Sequence, residues 1–252
     1  MKRALLLLSA GLFATMVMAR AEDAPVTLMT KPGKLLVSED FAQQPPPPEG
    51  STALFASGFK GWRCNVVPRG GHWEAVDGTF KGTENPEMHH PATASIGFDF
   101  KDVIISCEVR MHDVPLDGRK TRFFAVRTCD TKDYVCSIFL NEAGMRIQKD
   151  DNDHGGPDVA VPLGALATPI KLGEWQKVTF EILGDEMVGT LNGRSLTGRH
   201  PLIGEDKKSV MFVSGVEGSV RHLRIWEALP NPDWAKNKQA LPPPPPSKPA
   251  AK

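Results

Sequence analysis

Apolar and polar residues alternate through the middle of the chain with a period of two rather than 3.6. In the segment from Val103 to Met111, the residues Val103, Ile105, Cys107, Val109 and Met111 fall on one side, and Ser106, Glu108 and Arg110 on the other. Successive side chains of extended backbone point to opposite faces, so this is the pattern of a half-buried strand. Val178, Phe180 and Ile182 alternate in the same way with Lys177, Thr179 and Glu181, and Leu223 and Ile225 with His222, Arg224 and Trp226. Turn signals separate such runs at Val76-Asp77-Gly78, Asn141-Glu142-Ala143-Gly144, Leu183-Gly184-Asp185 and Leu191-Asn192-Gly193-Arg194. Asn-Gly tolerates positive φ at both positions, as a tight hairpin demands. No stretch between the proline runs carries a helical stripe. Many short strands with frequent turns predict an all-β fold, a jelly-roll sandwich of two antiparallel sheets. In such a fold Trp62, Trp73, Phe80, Phe98, Phe100, Phe124, Phe139, Trp175 and Phe180 read as core or sheet-packing residues rather than ligand platforms.

The ends of the chain follow other rules. Lys2 and Arg3 precede an apolar stretch from Ala4 to Met18, and Ala19-Arg20-Ala21 supplies the small-x-small pattern that signal peptidase accepts. This predicts a signal peptide over residues 1–21, cleavage before Glu22, and a periplasmic or secreted product. The stretch is short for a hydrocarbon core of about 30 Å, and no comparable run follows, so no membrane span is expected after cleavage. Pro45 to Pro48 and Pro242 to Pro246 mark the domain limits, because proline runs favour extended, solvated backbone that cannot donate to a sheet ladder. The expected organisation is a linker over 22–50, a sandwich over 51–229 and a disordered tail over 230–252. A net charge of zero with 24% charged residues lacks the basic surplus of a nucleic-acid binder, so no nucleic-acid partner is expected. Oligomeric state is left open.

The four cysteines, Cys64, Cys107, Cys129 and Cys136, match no zinc spacing. An exported chain permits disulfides. If Lys132 and Asp133 form a two-residue hairpin turn, Cys129 and Cys136 lie directly opposite each other, within disulfide reach. Buried free thiols are the alternative.

Several short segments resemble the 3-keto-disaccharide hydrolase family. They are Leu54-Phe55 with Gly61-Trp62, the run from Trp73 to Gly82, Phe100-Lys101-Asp102-Val103, Gly173-Glu174-Trp175, Asn192-Gly193, and the closing run from Arg221 to Glu227. The resemblance implies a concanavalin A-like jelly roll and action on 3-keto-glycosides, sometimes under the label of laminarinase-type glycoside hydrolases. Where family members carry an Asn-Ser-Gly-Ile-like and a Tyr-Glu-x-Gln-like strand, this chain has Thr121 to Arg127 and Tyr134 to Phe139. The expected function is hydrolysis or cleavage of a (3-keto-)glycoside, with a non-catalytic, lectin-like carbohydrate-binding module as the alternative.

Candidate chemistry lies in three places. The E-x-D-x-x-E strand of laminarinase-type enzymes, which sets two carboxylates on one face for a retaining mechanism, is absent. The segment from Gln148 to Asp158 gathers Lys149, Asp150, Asp151, Asn152, Asp153, His154 and Asp158 in one stretch. It partly mimics a calcium loop, but a histidine stands where an oxygen ligand belongs. A solvated acidic loop, a sugar or catalytic loop using Asp151, Asp153 and His154 with Lys149 as a binding residue, and a calcium-type metal site all stay open. His89-His90 is the second place, with His90 able to transfer a proton near neutral pH. Polar strand positions are the third: Glu108, Arg110, Arg127, His222 and Arg224 would line a sugar groove if their strands share one concave sheet. The acidic loop and His90 are expected to border one site at the sandwich rim.

Overall fold

A computed structural model describes residues 24–42, 62–64, 71–87, 90–116, 118, 122–151 and 159–242. Two antiparallel sheets face each other. The eight-stranded sheet runs in the order β13 (Arg194–Arg199), β12 (Glu186–Leu191), β11 (Gln176–Leu183), β6 (Val103–Met111), β15 (Glu217–Pro230), β4 (Thr79–Thr83) and β3 (His72–Val76). Its eighth strand, β1 (Thr30–Glu39), pairs with β15. The seven-stranded sheet runs β10 (Val161–Ala167), β9 (Gly144–Lys149), β8 (Tyr134–Asn141), β7 (Phe123–Cys129), β14 (Lys207–Gly215), β5 (Ala92–Phe100) and β2 (Trp62–Cys64). The jelly-roll sandwich expected from the alternation is the fold.

The alternating apolar sets meet between the sheets. Val103, Ile105, Cys107, Val109 and Met111 of β6 join Val178, Phe180 and Ile182 of β11 and Leu223 and Ile225 of β15 in one buried cluster. Rings from both sheets interlock there: Trp62 of β2 lies 5.3 Å from Phe80 of β4, and Trp73 of β3 lies 6.4 Å from Phe212 of β14. A Cβ at Gly82 would come within 2.7 Å of the Trp73 indole, so glycine lets that ring lie against β4. The expected hairpins form with Asp77-Gly78 at φ 49° and 70° and Asn192-Gly193 at 48° and 81°, the positive-φ pairs of type I′ turns.

The domain limits differ from the proline reading at both ends. Residues 30–39, assigned to the linker, form β1. Its alternation is hidden because register shifts on either side of Leu35 break the period. Val37 still packs on the core, and Leu35 on an outer-face cluster of Ile104, Trp226 and Ala228. The segment just before β1 is held by one buried carboxylate: Glu181 accepts hydrogen bonds from the backbone N–H groups of Leu28, Met29 and Thr30 and from the Thr30 hydroxyl, at 2.8 to 3.0 Å. In the tail region, a short helix α1 (Trp234–Gln239) docks back on the sandwich. Trp234 Nε1 donates to Glu186 (3.2 Å), and Asn231 and Asn237 each donate to the Leu28 carbonyl (2.9 Å). The two ends of the folded unit therefore clasp each other.

Lys207 is completely buried, and its ammonium donates to the carbonyls of Lys101, Ile203 and Glu205 at 2.7 to 2.9 Å. Burial lowers its pKa. Three acceptors for three N–H donors make this a satisfied structural charge that closes the 3-10 turn Pro201–Gly204 onto β14.

Candidate functional site

The outer face of the eight-stranded sheet carries a groove of about 960 Å³. Cross-strand register arranges its polar residues in two rows. Thr190 of β12, Thr179 of β11, Ser106 of β6 and Arg224 of β15 are successive partners in one row, and Lys177, Glu108 and Arg221 in the next. Four strands at about 4.8 Å spacing make the first row roughly 14 Å long. Asp40 from the end of β1, the Asp77-Gly78 turn and residues Ala24 to Val26 close the groove's sides.

The geometry of β15 aims the central residues. This strand pairs with β6 along both halves, but its other edge pairs first with β4 and then with β1. The change coincides with a register shift between Arg221 and Arg224, where His222 adopts φ 52°. A bulge re-aims side chains, and here both Arg221 and His222 reach the groove. Arg221 pairs with Glu108 at 2.6 and 2.7 Å, and His222 Nδ1 lies 3.7 Å from the same carboxylate with 58% of its side chain exposed. Arg224 donates to Asp40 (2.7 Å) and to the carbonyls of Glu39 (3.2 Å) and Leu223 (3.0 Å). Beside the groove, the guanidinium carbons of Arg221 and Arg110 lie 4.2 and 4.4 Å from the Trp175 ring centre. Carboxylates held by arginines, with hydroxyls on the next row, offer fixed acceptors and donors to a polyhydroxylated ligand.

A second arrangement nearby has the look of a hydrolytic relay. His112 shares a hydrogen bond with the Ser219 hydroxyl at 2.8 Å, and its other ring nitrogen lies 3.3 Å from Glu217. Burial holds His112 below its ordinary pKa, partly offset by Glu217. Ser219 is fully buried, however, with Arg110 its partner on one strand and Lys81 on the other. A nucleophile must reach its substrate, so this array joins β4, β15 and β6 rather than attacking a bond.

The structure divides the sequence-predicted residues. Glu108, Arg110, His222 and Arg224 share the eight-stranded face, whereas Arg127 and Lys149 belong to the seven-stranded sheet, so the six do not line one groove. Arg127 Nε lies 3.2 Å from Asp150, which also accepts from Gln148, and the Arg127 guanidinium sits 4.2 Å from the Tyr134 ring centre. Lys149 is buried, alternating onto the side of Met145 and Ile147, and its charge adds to burial in lowering the pKa of His200. Asp151 is buried just beyond β9, and His90 is exposed just before β5, with Nδ1 2.8 Å from the Pro91 carbonyl.

The expected meeting of the acidic loop with His90 does not occur for these two residues. Register places Ala92, Ser214 and Phe124 at one end of the seven-stranded sheet and Cys129, Tyr134 and Lys149 at the other. His90 and Asp151 thus sit at opposite ends of strands about 20 Å long. Asp153 and His154 lie outside the described residues. Among the described residues no group of three His, Cys, Asp or Glu side chains is placed to hold a metal ion.

The expected disulfide is also not formed, and all four cysteines are free. The β7–β8 turn spans Asp130 to Asp133, with the Asp130 carboxylate accepting from the backbone N–H groups of Lys132 and Asp133. A register shift then places Cys136 opposite Thr128 and Cys129 opposite Tyr134. A one-residue slip sends side chains to opposite faces. Sequence reasoning missed Arg221, because the bulge breaks the phase, and Asp40, because it fell in the assigned linker. Ser106 and Thr179 were visible as polar positions, but nothing in the chain showed that they are neighbours.

No protein-family model matches this sequence, and neither does any curated protein. Solved structures do resemble the fold. The carbohydrate-binding module CBM66 of Bacillus subtilis superposes with a TM-score of 0.53 at 12% identity, covering 66% of this chain and 96% of that one. A Bacillus subtilis protein with a galectin-like fold gives 0.52 at 10% identity, covering 81% and 100%. The GlcNAcα1-4Gal-releasing endo-β-galactosidase of Clostridium perfringens gives 0.51 at 11% identity, covering 82% of this chain and 65% of that one. The chain therefore has the two-sheet jelly-roll fold that these proteins share.

Proposed function

We propose that this is an exported carbohydrate-active protein that binds a glycan along the groove of the eight-stranded sheet. The observation that carries the reading is the pair of register-aligned polar rows, Thr190-Thr179-Ser106-Arg224 and Lys177-Glu108-Arg221. Sugars present hydroxyls at regular intervals, and fixed donors and acceptors discriminate among them because an unpaired buried polar group is costly. The fold shared with a carbohydrate-binding module and a glycosidase supports this reading.

The resemblance to 3-keto-disaccharide hydrolases extends it to cleavage of a 3-keto-glycoside. In this groove His222, exposed beside Glu108, is the group suited to proton transfer, because one ring nitrogen of an imidazole can accept a proton while the other donates one. Titration of the purified protein with a panel of 3-keto and ordinary disaccharides and longer glycans tests both levels. Binding of at least one glycan is expected, weakened tenfold or more by Glu108→Gln with the melting temperature nearly unchanged. Turnover of a 3-keto-disaccharide that His222→Ala abolishes would establish the finer reading. Absence of binding across the panel overturns the proposal.

A further inference from the structure

The outer face of the seven-stranded sheet carries an arrangement unrelated to the groove. The guanidinium carbon of Arg146 on β9 sits 4.4 Å from the ring centre of Phe139 on β8. Phe139 stacks in turn on Phe123 of β7 at 4.9 Å with 15° between the planes. Three planar groups thus stand side by side across three neighbouring strands, with the guanidinium at the end of the row.

Arg146 differs from the paired arginines of the two sheets and shares with Arg110, which stacks on Trp175, a guanidinium laid on an aromatic ring without a carboxylate. Arg127 has Asp150, Arg122 has Glu142, Arg221 has Glu108 and Arg224 has Asp40. Among the described residues Arg146 has no ion-pair or hydrogen-bond partner, and its Nε is buried. One diagonal step away, Ser137 is fully buried, and its hydroxyl also has no hydrogen-bond partner. On the far side of Arg146 its register partner is Ala165, which is small and exposed, so the guanidinium edge is not covered from β10. The nearest described carboxylate along this strand's outer side, Asp150, is already engaged by Arg127 and Gln148.

Buried polar atoms are nearly always paired, and two unpaired ones side by side point to a missing acceptor. A guanidinium stacked on an aromatic ring is oriented in advance, and its fork of N–H donors matches a planar or tetrahedral oxyanion. We infer that Arg146, with the Phe139–Phe123 row and Ser137, forms a second ligand site for an oxyanion-bearing sugar, carrying either a uronic acid carboxylate or a sulfate ester.

Calorimetric titration at low salt with tri-galacturonate, a sulfated galactotriose and neutral galactotriose tests this on the purified protein. At least one anionic ligand is expected to bind tenfold or more tightly than the neutral one, and which of the two does so identifies the oxyanion. Arg146→Gln should weaken that binding at least tenfold. Arg146→Lys, which keeps the charge but not the fork, should fall between, and it carries the test if Arg146→Gln lowers the melting temperature. Glu108→Gln should leave anionic binding intact, which separates this site from the groove. Equal affinity for neutral and anionic ligands, or an Arg146→Gln variant that binds like the parent, overturns the inference while leaving the groove reading untouched.

Discussion

Cys129 and Cys136 flank a turn and look like a disulfide pair in one dimension. The four-residue turn and the shift after Thr128 instead put the Cys136 thiol 3.3 Å from the Thr128 hydroxyl. Solvation then decides reactivity. Burial raises the thiol pKa of Cys64, Cys107, Cys129 and Cys136 to about 12 in each case. The thiolate is the nucleophile, so native thiols held so high should be inert at neutral pH. Iodoacetamide at pH 7.5 is expected to leave the folded protein unmodified and to label four sites after denaturation. A mass two daltons lower than the reduced chain, with two sites lost, would instead reveal a disulfide. The cysteine identities were plain in the sequence. Their register was not, because a side-chain hydrogen bond within the turn chose it.

At the scale of elements, Glu181 of β11 accepts the backbone N–H groups that dock the segment before β1, while Asn231 and Asn237 hold the Leu28 carbonyl. Glu181 alternates outward from β11, as its place in the strand predicts, yet it is fully buried because residues 28–30 lie on it. Glu181→Ala would leave three backbone N–H groups and a hydroxyl without their acceptor. A loss of about 3 kcal/mol is expected, because unsatisfied buried donors bonded to a charge cost that much together. Since Ala24 to Val26 wall the groove just before this anchor, glycan affinity should fall as well. Urea denaturation and titration of the same variant check both. Unchanged stability would mean that the segment contributes little to the folded unit. None of this docking was legible beforehand: β1 contains Pro32-Gly33 and shifts register twice, so its period of two never shows.

At the scale of the whole molecule, the pH dependence of stability follows from where histidines are buried. His112 lies within the Ser219, Glu217, Arg110 and Lys81 cluster, and His200 near Lys149; burial is the main cause that lowers both from an ordinary 6.5. The folded state therefore favours neutral imidazole, and on acidification the unfolded chain takes up protons first. Stability should be full above about pH 6.5 and fall as pH drops from there through the lower folded values. Melting temperatures between pH 7.5 and 5 should show this slope, and His112→Gln should flatten it. A parent slope of opposite sign, or a His112→Gln slope equal to the parent's, would contradict the assignment. The alternating runs and Asn-Gly turns by themselves determined the all-β sandwich and which side of each strand is polar, because period and turn chemistry are local properties. Which strands are neighbours is not local. Only the tertiary structure decided that Glu108 and Arg224 share a face with Arg221 while Arg127 lies on the other sheet. It also placed His90 and Asp151 at opposite ends, because contacts between distant segments are set by how two sheets pack and where a strand bulges.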